Sequence, residues 1–171
     1  QDYERLLHEQ PETDLADPQL GTHMLYTSGT TGRPKGVQRA GTPTIPPAAI
    51  SLADYRPGES VHLATGPLYH AAPMMFSLVI PHALGAGVVM MDSWDPERAL
   101  ALIARERVSH THMVPTMFQR LLALPEATRR RYDVSSLRYV LHGAAPCPIA
   151  IKHAMIDWFV PVIHEYYAAT E

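Results

Sequence analysis

The sequence predicts an α/β fold in which a parallel β-sheet is flanked by helices and built from βαβ units. Two observations predict it. Short runs rich in β-branched and aromatic residues alternate with stretches whose apolar residues recur at spacings of three and four. This alternation continues to the end of the chain without an internal repeat or low-complexity tract, as strands joined by crossover helices require.

Strands are expected at His23–Thr27, Val61–Thr65, Val88–Met91, His110–Val114, Tyr139–Leu141 and Val162–Tyr166. Residues 8–21 are polar and contain Pro11 and Pro18, so residues 1–21 read as a surface approach to the first strand. The segment 41–47 holds Pro43, Pro46 and Pro47 and can be neither regular helix nor central strand. A short helix near Ala48–Asp54 follows, then a turn at Arg56-Pro57-Gly58-Glu59. Residues 71–91 form the most apolar stretch, but Pro73, Pro81, His82, Gly85 and Gly87 interrupt it. It reads as a buried helix, a turn and a strand rather than a membrane span.

Asp95-Pro96-Glu97 has the chemistry of a helix start: a capping carboxylate, proline at the first helical position and an acid in the first turn. Phe118, Leu121 and Leu122 share one face of a second helix that stops at Pro125. Ile151, Ala154, Met155 and Trp158 mark a third. In such sheets ligands bind beyond the carboxyl ends of the strands, so the residues that follow each strand are where chemistry is expected.

Composition narrows the partners. The 171 residues carry a net charge of −3, with Lys and Arg scattered, and this excludes nucleic acid as a main partner because no concentrated basic face is available. The lone Cys147 excludes a disulfide framework and suits a reducing, cytoplasmic setting. Ten histidines are present, but no Cys cluster or helical His pair accompanies them, so a dedicated transition-metal site is disfavoured; His110 and His112 are expected on one face of a strand. Cys147, between two prolines, lacks an evident base and is not expected to be a nucleophile.

The most specific signal follows the first strand: Tyr26-Thr27-Ser28-Gly29-Thr30-Thr31-Gly32-Arg33-Pro34-Lys35-Gly36-Val37. Four Ser/Thr hydroxyls (Thr27, Ser28, Thr30 and Thr31), three glycines and two cations within twelve residues form a set of convergent donors that suits a polyphosphate. No Gly-Lys-Ser/Thr is present at the spacing of the GTPase-type loop. Further strings recur after later strands: Pro67-Leu68-Tyr69-His70, Val114-Pro115-Thr116-Met117, His142-Gly143-Ala144-Ala145-Pro146 and Tyr166-Tyr167-Ala168-Ala169-Thr170-Glu171.

In this order the strings resemble the motifs of the adenylate-forming (AMP-binding) superfamily. Ala144-Ala145-Pro146-Cys147-Pro148, with Ile156-Asp157-Trp158 and Glu165-Tyr166-Tyr167, looks most like bacterial acyl-CoA synthetases. The resemblance runs from Met24 to Glu171. It implies that the chain is part of the large N-terminal domain of an acyl-CoA synthetase-like fold, with residues 22–171 as a nucleotide- and acyl-binding core. It further implies ATP-dependent activation of a carboxylic acid, expected to be a fatty acid, to an acyl-adenylate with release of pyrophosphate, followed by transfer to coenzyme A. Thr27, Ser28, Gly29, Thr30, Thr31, Gly32 and Lys35 are then the phosphate ligands, and His70 orients the acid. Gly143, Ala144, Ala145 and Pro146 line the adenine and the acyl path, Tyr167 stacks on adenine, Thr170 meets the α-phosphate and Glu171 holds Mg²⁺.

Departures accompany the match. Gln38-Arg39-Ala40-Gly41 stands where many members have a Ser/Thr-His pair and a helix, and Ala168 stands where glycine is common. The family's ribose-binding Asp, its hinge and its C-terminal domain with a catalytic Lys have no counterpart here, which implies a fragment that is poorly active alone. Amino-acid adenylation, a luciferase-like oxygenase and a non-catalytic nucleotide-binding module remain alternatives, and chain length of the acid and oligomeric state are left open.

Overall fold

Backbone hydrogen bonding sorts the strands into a two-stranded antiparallel pair and a five-stranded parallel sheet. The computed structural model describes residues 2–14, 16–18, 24–27, 32–38 and 47–168. The two sheets belong to different units of the chain, Gln1–Thr42 and Pro43–Glu171.

In the first unit, α1 (Tyr3–His8) is an exposed helix with an Arg5–Glu9 ion pair at 2.6 Å. It arises within the segment read from sequence only as an approach. β1 (Leu25–Thr27) pairs antiparallel with β2 (Lys35–Val37), Thr27 opposite Lys35. This corrects the expectation that the first strand opens the βαβ series. The strand is real, but its partner is only a few residues away, and a parallel partner would need a crossover of a dozen residues or more. Gly32, at φ +80°, takes a conformation that side chains rarely adopt as the chain turns back. The proline-rich stretch 41–46 lies outside the described residues.

In the second unit, α2 (Pro47–Ala53) precedes β3 (Val61–Ala64). The apolar stretch then forms one helical rod: α3 (Ala71–Met74), a π-helical turn (Met75–Val79) and α4 (Ile80–Ala83). β4 (Gly87–Met90) follows, then α5 (Pro96–Arg105), β5 (His110–Met113), α6 (Pro115–Leu122), the short α7 (Glu126–Arg129), β6 (Tyr139–His142), α8 (Ile149–Phe159) and β7 (Ile163–Glu165). Asp95 caps α5 as expected, its carboxylate accepting from the Arg98 N–H at 2.7 Å. The strand order is β4-β3-β5-β6-β7, all parallel.

Because side chains alternate across a strand, the sheet has two unlike faces. One is apolar: Leu63, Met113 and Val140 pack with Leu100 and Ile103 of α5, Phe118 and Leu121 of α6, and Met155 and Phe159 of α8. The other carries His62, His110, His112, Tyr139 and His164, covered by Tyr55 and the helical rod. The expected placement of His110 and His112 on one face holds.

His62, His110 and His112 each have a hydrogen-bond partner, and burial favours their neutral form. His110 Nε2 donates to the Ala53 carbonyl at 2.6 Å, so Nδ1 is its accepting nitrogen and receives the Ser109 hydroxyl at 2.7 Å. The Tyr55 hydroxyl meets His62 Nδ1 at 2.7 Å, and its ring stacks on His110 at 3.9 Å. Burial, reinforced by neighbouring imidazoles, pushes His62 down to about 3 and His112 down to about 4. Among the described residues no group of three His, Cys, Asp or Glu could hold a metal ion. No described helix is long and apolar enough to cross a membrane.

Two outcomes follow for stability. An unfolded histidine takes up its proton near pH 6.5, and these two do so in the folded state only near 3 and 4. Stability that is fully present above pH 6.5 is therefore lost as pH falls toward those values, by about 1 kcal/mol per histidine between pH 7 and 5.5. Thermal melts of the full-length protein at the two pH values should show the drop, and His62→Gln should make it shallower. Phe118→Ala should cost about 3–5 kcal/mol in chemical denaturation, because the ring is wholly buried and the core cannot close behind it.

Candidate functional site

A sheet whose strands are all parallel returns every crossover to the same end, so the residues after each strand emerge along one edge. The chain steps outward from β3 to β4, then passes back beside β3 to form β5. Successive crossovers diverge between β3 and β5, and a crevice opens at such a reversal. At a strand spacing of about 4.8 Å, the exits of β3, β5, β6 and β7 span roughly 15 Å. The described residues of four expected strings follow these exits.

After β3, the Thr65 hydroxyl donates to the His112 carbonyl at 2.5 Å and fixes the exit. A Cβ on Gly66 would stand 2.8 Å from Cγ of Pro73, so only glycine lets α3 come this close to the strand it leaves. The His70 N–H then donates to the Pro67 carbonyl at 3.1 Å, closing a turn that makes His70 the residue before α3. His70 and Tyr69 are both exposed at the edge, their rings 4.7 Å apart. Sequence reading found His70 but passed over Thr65 and Gly66. A glycine between a strand and a proline-bearing helix was the signal for the second.

After β5, Val114 precedes α6 with Pro115 at its first position, where the missing N–H is not needed. After β6, Gly143 is buried while Ala144, Ala145 and Pro146 are exposed, and Ala144 has φ +67°. A non-glycine residue there is strained by about 1–2 kcal/mol, which the surrounding turn must offset. His142, immediately before, does not join the edge: it is wholly buried on the apolar face, its ring 5.2 Å from Phe118. Cys147 is half-buried in the same connection, and burial pushes its thiol up, which keeps it protonated. After β7, Tyr167 stands fully exposed beside the partly buried Tyr166.

The structure thus brings His70, Gly143, Ala144, Ala145, Pro146 and Tyr167 to one edge of one sheet. The edge offers small residues and an exposed aromatic ring, the residue types that stacking of a planar base uses. In the first unit, Thr27 and Lys35 face each other across the hairpin, with Lys35 exposed and Gly32 in open space. Ser28, Gly29, Thr30, Thr31, Thr170 and Glu171 lie outside the described residues.

The close approach at Gly66 has a measurable consequence. Gly66→Ala should destabilise the protein by about 1–3 kcal/mol, because the Pro73 contact forces a backbone shift. The paired change Gly66→Ala, Pro73→Ala should recover part of the loss in thermal denaturation.

Residues 2–171 match the family model of the AMP-binding enzyme. The chain is 33% identical over 150 residues to the medium/long-chain-fatty-acid–CoA ligase FadD8 of Mycobacterium tuberculosis (strain ATCC 25618 / H37Rv), covering 86% of this chain and 25% of that protein. It is 34% identical over 145 residues to a feruloyl-CoA synthase of Amycolatopsis sp, covering 84% of this chain and 29% of that protein. The chain therefore spans between a quarter and a third of these two curated relatives. Among solved structures, the N-terminal domain of FACL13 from Mycobacterium tuberculosis, determined with an inhibitor bound, superposes with a TM-score of 0.73 at 26% identity, over 98% of this chain and 42% of that one. With the parallel sheet, the ordered motifs at its carboxyl edge and these matches in agreement, the chain belongs to the AMP-binding enzyme family, among relatives that are acyl-CoA ligases.

Proposed function

We propose that this chain is the nucleotide- and acid-binding part of an enzyme that activates a carboxylic acid with ATP, releases pyrophosphate and passes the acyl group to coenzyme A. One observation carries the reading: His70, the Gly143–Pro146 turn and Tyr167, far apart in sequence, follow β3, β6 and β7 at one edge of one parallel sheet. Residues 1–21 are an approach segment and 22–171 a partial N-terminal domain. The acid is of fatty or aromatic type, since the two curated relatives named above act on one of each.

The chemistry needs little beyond placement and charge. The carboxylate oxygen attacks the α-phosphorus of ATP, the bond to the β-phosphate oxygen breaks, and pyrophosphate leaves with that electron pair. Coenzyme A thiolate then attacks the acyl carbon, and AMP departs. Lys35, with the hydroxyls of Thr27, Ser28, Thr30 and Thr31 and the amides of Gly29 and Gly32, would stabilise the β- and γ-phosphates. His70 would orient the acid at the β3–β5 crevice, and Tyr167 would stack on adenine while Thr170 contacts the α-phosphate. Glu171 supplies a carboxylate, a fitting oxygen ligand for Mg²⁺, which is commonly held by one or two carboxylates and substrate phosphates. That ion would offset phosphate charge.

The test is pyrophosphate release by the full-length protein across fatty, aromatic and amino acids, with and without coenzyme A. Release with a fatty or aromatic acid, and thioester only when coenzyme A is added, is the expected result. Release with amino acids alone would assign an amino-acid adenylating enzyme instead. No release with any acid, despite ATP binding, would leave a nucleotide-binding module. Lys35→Met should lower the release rate on the order of 10²-fold, the usual loss when one charge-stabilising donor is removed.

A further inference from the structure

Tyr166 sits one residue before the exposed Tyr167 and, unlike it, is gripped on several sides. Its backbone N–H donates to the His142 carbonyl at 3.0 Å, extending the pairing of β7 with β6. Its ring lies so close over Gly143 that a Cβ there would stand 2.4, 2.6 and 2.7 Å from three ring carbons. No side chain fits at 143 while that ring is in place. The hydroxyl and His112 Nε2 share a hydrogen bond at 3.2 Å, reaching across from β5. Phe76, in the π-helical turn of the rod that begins after His70, packs on the same ring at 4.8 Å and on His112 at 5.6 Å.

A half-buried tyrosine seeks a hydroxyl partner in any role, but one that merely filled space would not need a glycine beneath its ring. Here both are present, and both partners of the bond are neutral: burial pushes the Tyr166 hydroxyl up and His112 down. The bond therefore stays uncharged across the working pH range. It also fixes the ring's position against Gly143, the first residue of the turn whose outer surface is formed by Ala144, Ala145 and Pro146. Phe76 closes the remaining side, so the segment after β3 and the turn after β6 meet through one ring.

We propose that Tyr166 is a positioning residue: it sets the height and tilt of the Gly143–Pro146 turn so that the turn's surface is ready for a nucleotide base, and His112 holds it there. The inference rests on the reading that this turn borders the nucleotide. Neither Tyr166 nor His112 touches ATP in this scheme; each acts through the turn. Removing the hydroxyl leaves the ring over Gly143 but frees its tilt, so nucleotide affinity falls while the fold persists.

The experiment uses the full-length protein and α,β-methylene-ATP, which cannot be cleaved at the reacting bond, with affinity read by calorimetry and turnover read separately. Tyr166→Phe and His112→Leu should each weaken analogue binding about 3–10-fold, the range expected for one uncharged hydrogen bond. They should raise KM for ATP with kcat little changed. His112→Gln, whose amide can reach the hydroxyl, should recover most of the affinity that His112→Leu loses. A structural role alone would move melting temperature in all three variants without this rescue pattern in binding. Wild-type binding that Tyr166→Phe leaves unchanged, or equal losses in His112→Leu and His112→Gln, overturns the role of Tyr166. No binding of the analogue by the wild-type protein overturns instead the nucleotide reading of the turn.

Discussion

Parallel pairing is the constraint on which the second unit depends. A parallel strand cannot be reached by a tight turn, so each pair of strands costs a crossover, and each crossover lays a helix on a face of the sheet. Both faces are then covered, and every strand delivers its next residues to the same edge. The strand order reverses between β3 and β5, the place where sheets of this kind take their ligands. The chemistry has only this place to gather, which is why segments as distant in sequence as His70 and Tyr167 share it.

The two faces meet this constraint differently. Where α5, α6 and α8 cover the sheet, apolar packing suffices, and Phe118, Leu100 and Met155 fill the space. Under the helical rod the strands instead present imidazoles and phenols, and burial is tolerable only because the rings are neutral and most of their polar atoms have partners. His110 shows the pattern, with a backbone carbonyl on one nitrogen and a serine hydroxyl on the other. His112 carries it to the edge through Tyr166. The polar face is thus continuous with the candidate site, whereas the apolar face serves as its foundation.

Much of this was legible in the chain. Strands were placed within a residue or two at five positions of the parallel sheet, because alternation and bounding turns are local signals. The Asp95 cap was read from three residues and found as expected. What failed was pairing. Leu25–Thr27 looks like any other strand, and nothing in its own residues says that its partner is Lys35–Val37 and not a strand far along the chain. Likewise His142 reads as part of the small-residue turn, yet one residue of strand alternation turns it onto the apolar face.

Sequence by itself determined the order of the motifs, the chemistry each could offer and the elements between them, since these follow from residue type and short-range periodicity. The tertiary structure decided which strands are neighbours, where the reversal falls and which side chains crowd one another. The Gly143–Tyr166 approach is the clearest case: it joins the residues that follow two strands whose adjacency no local pattern encodes. Such contacts depend on crossover direction and sheet register, and those are set by burial summed over the whole unit.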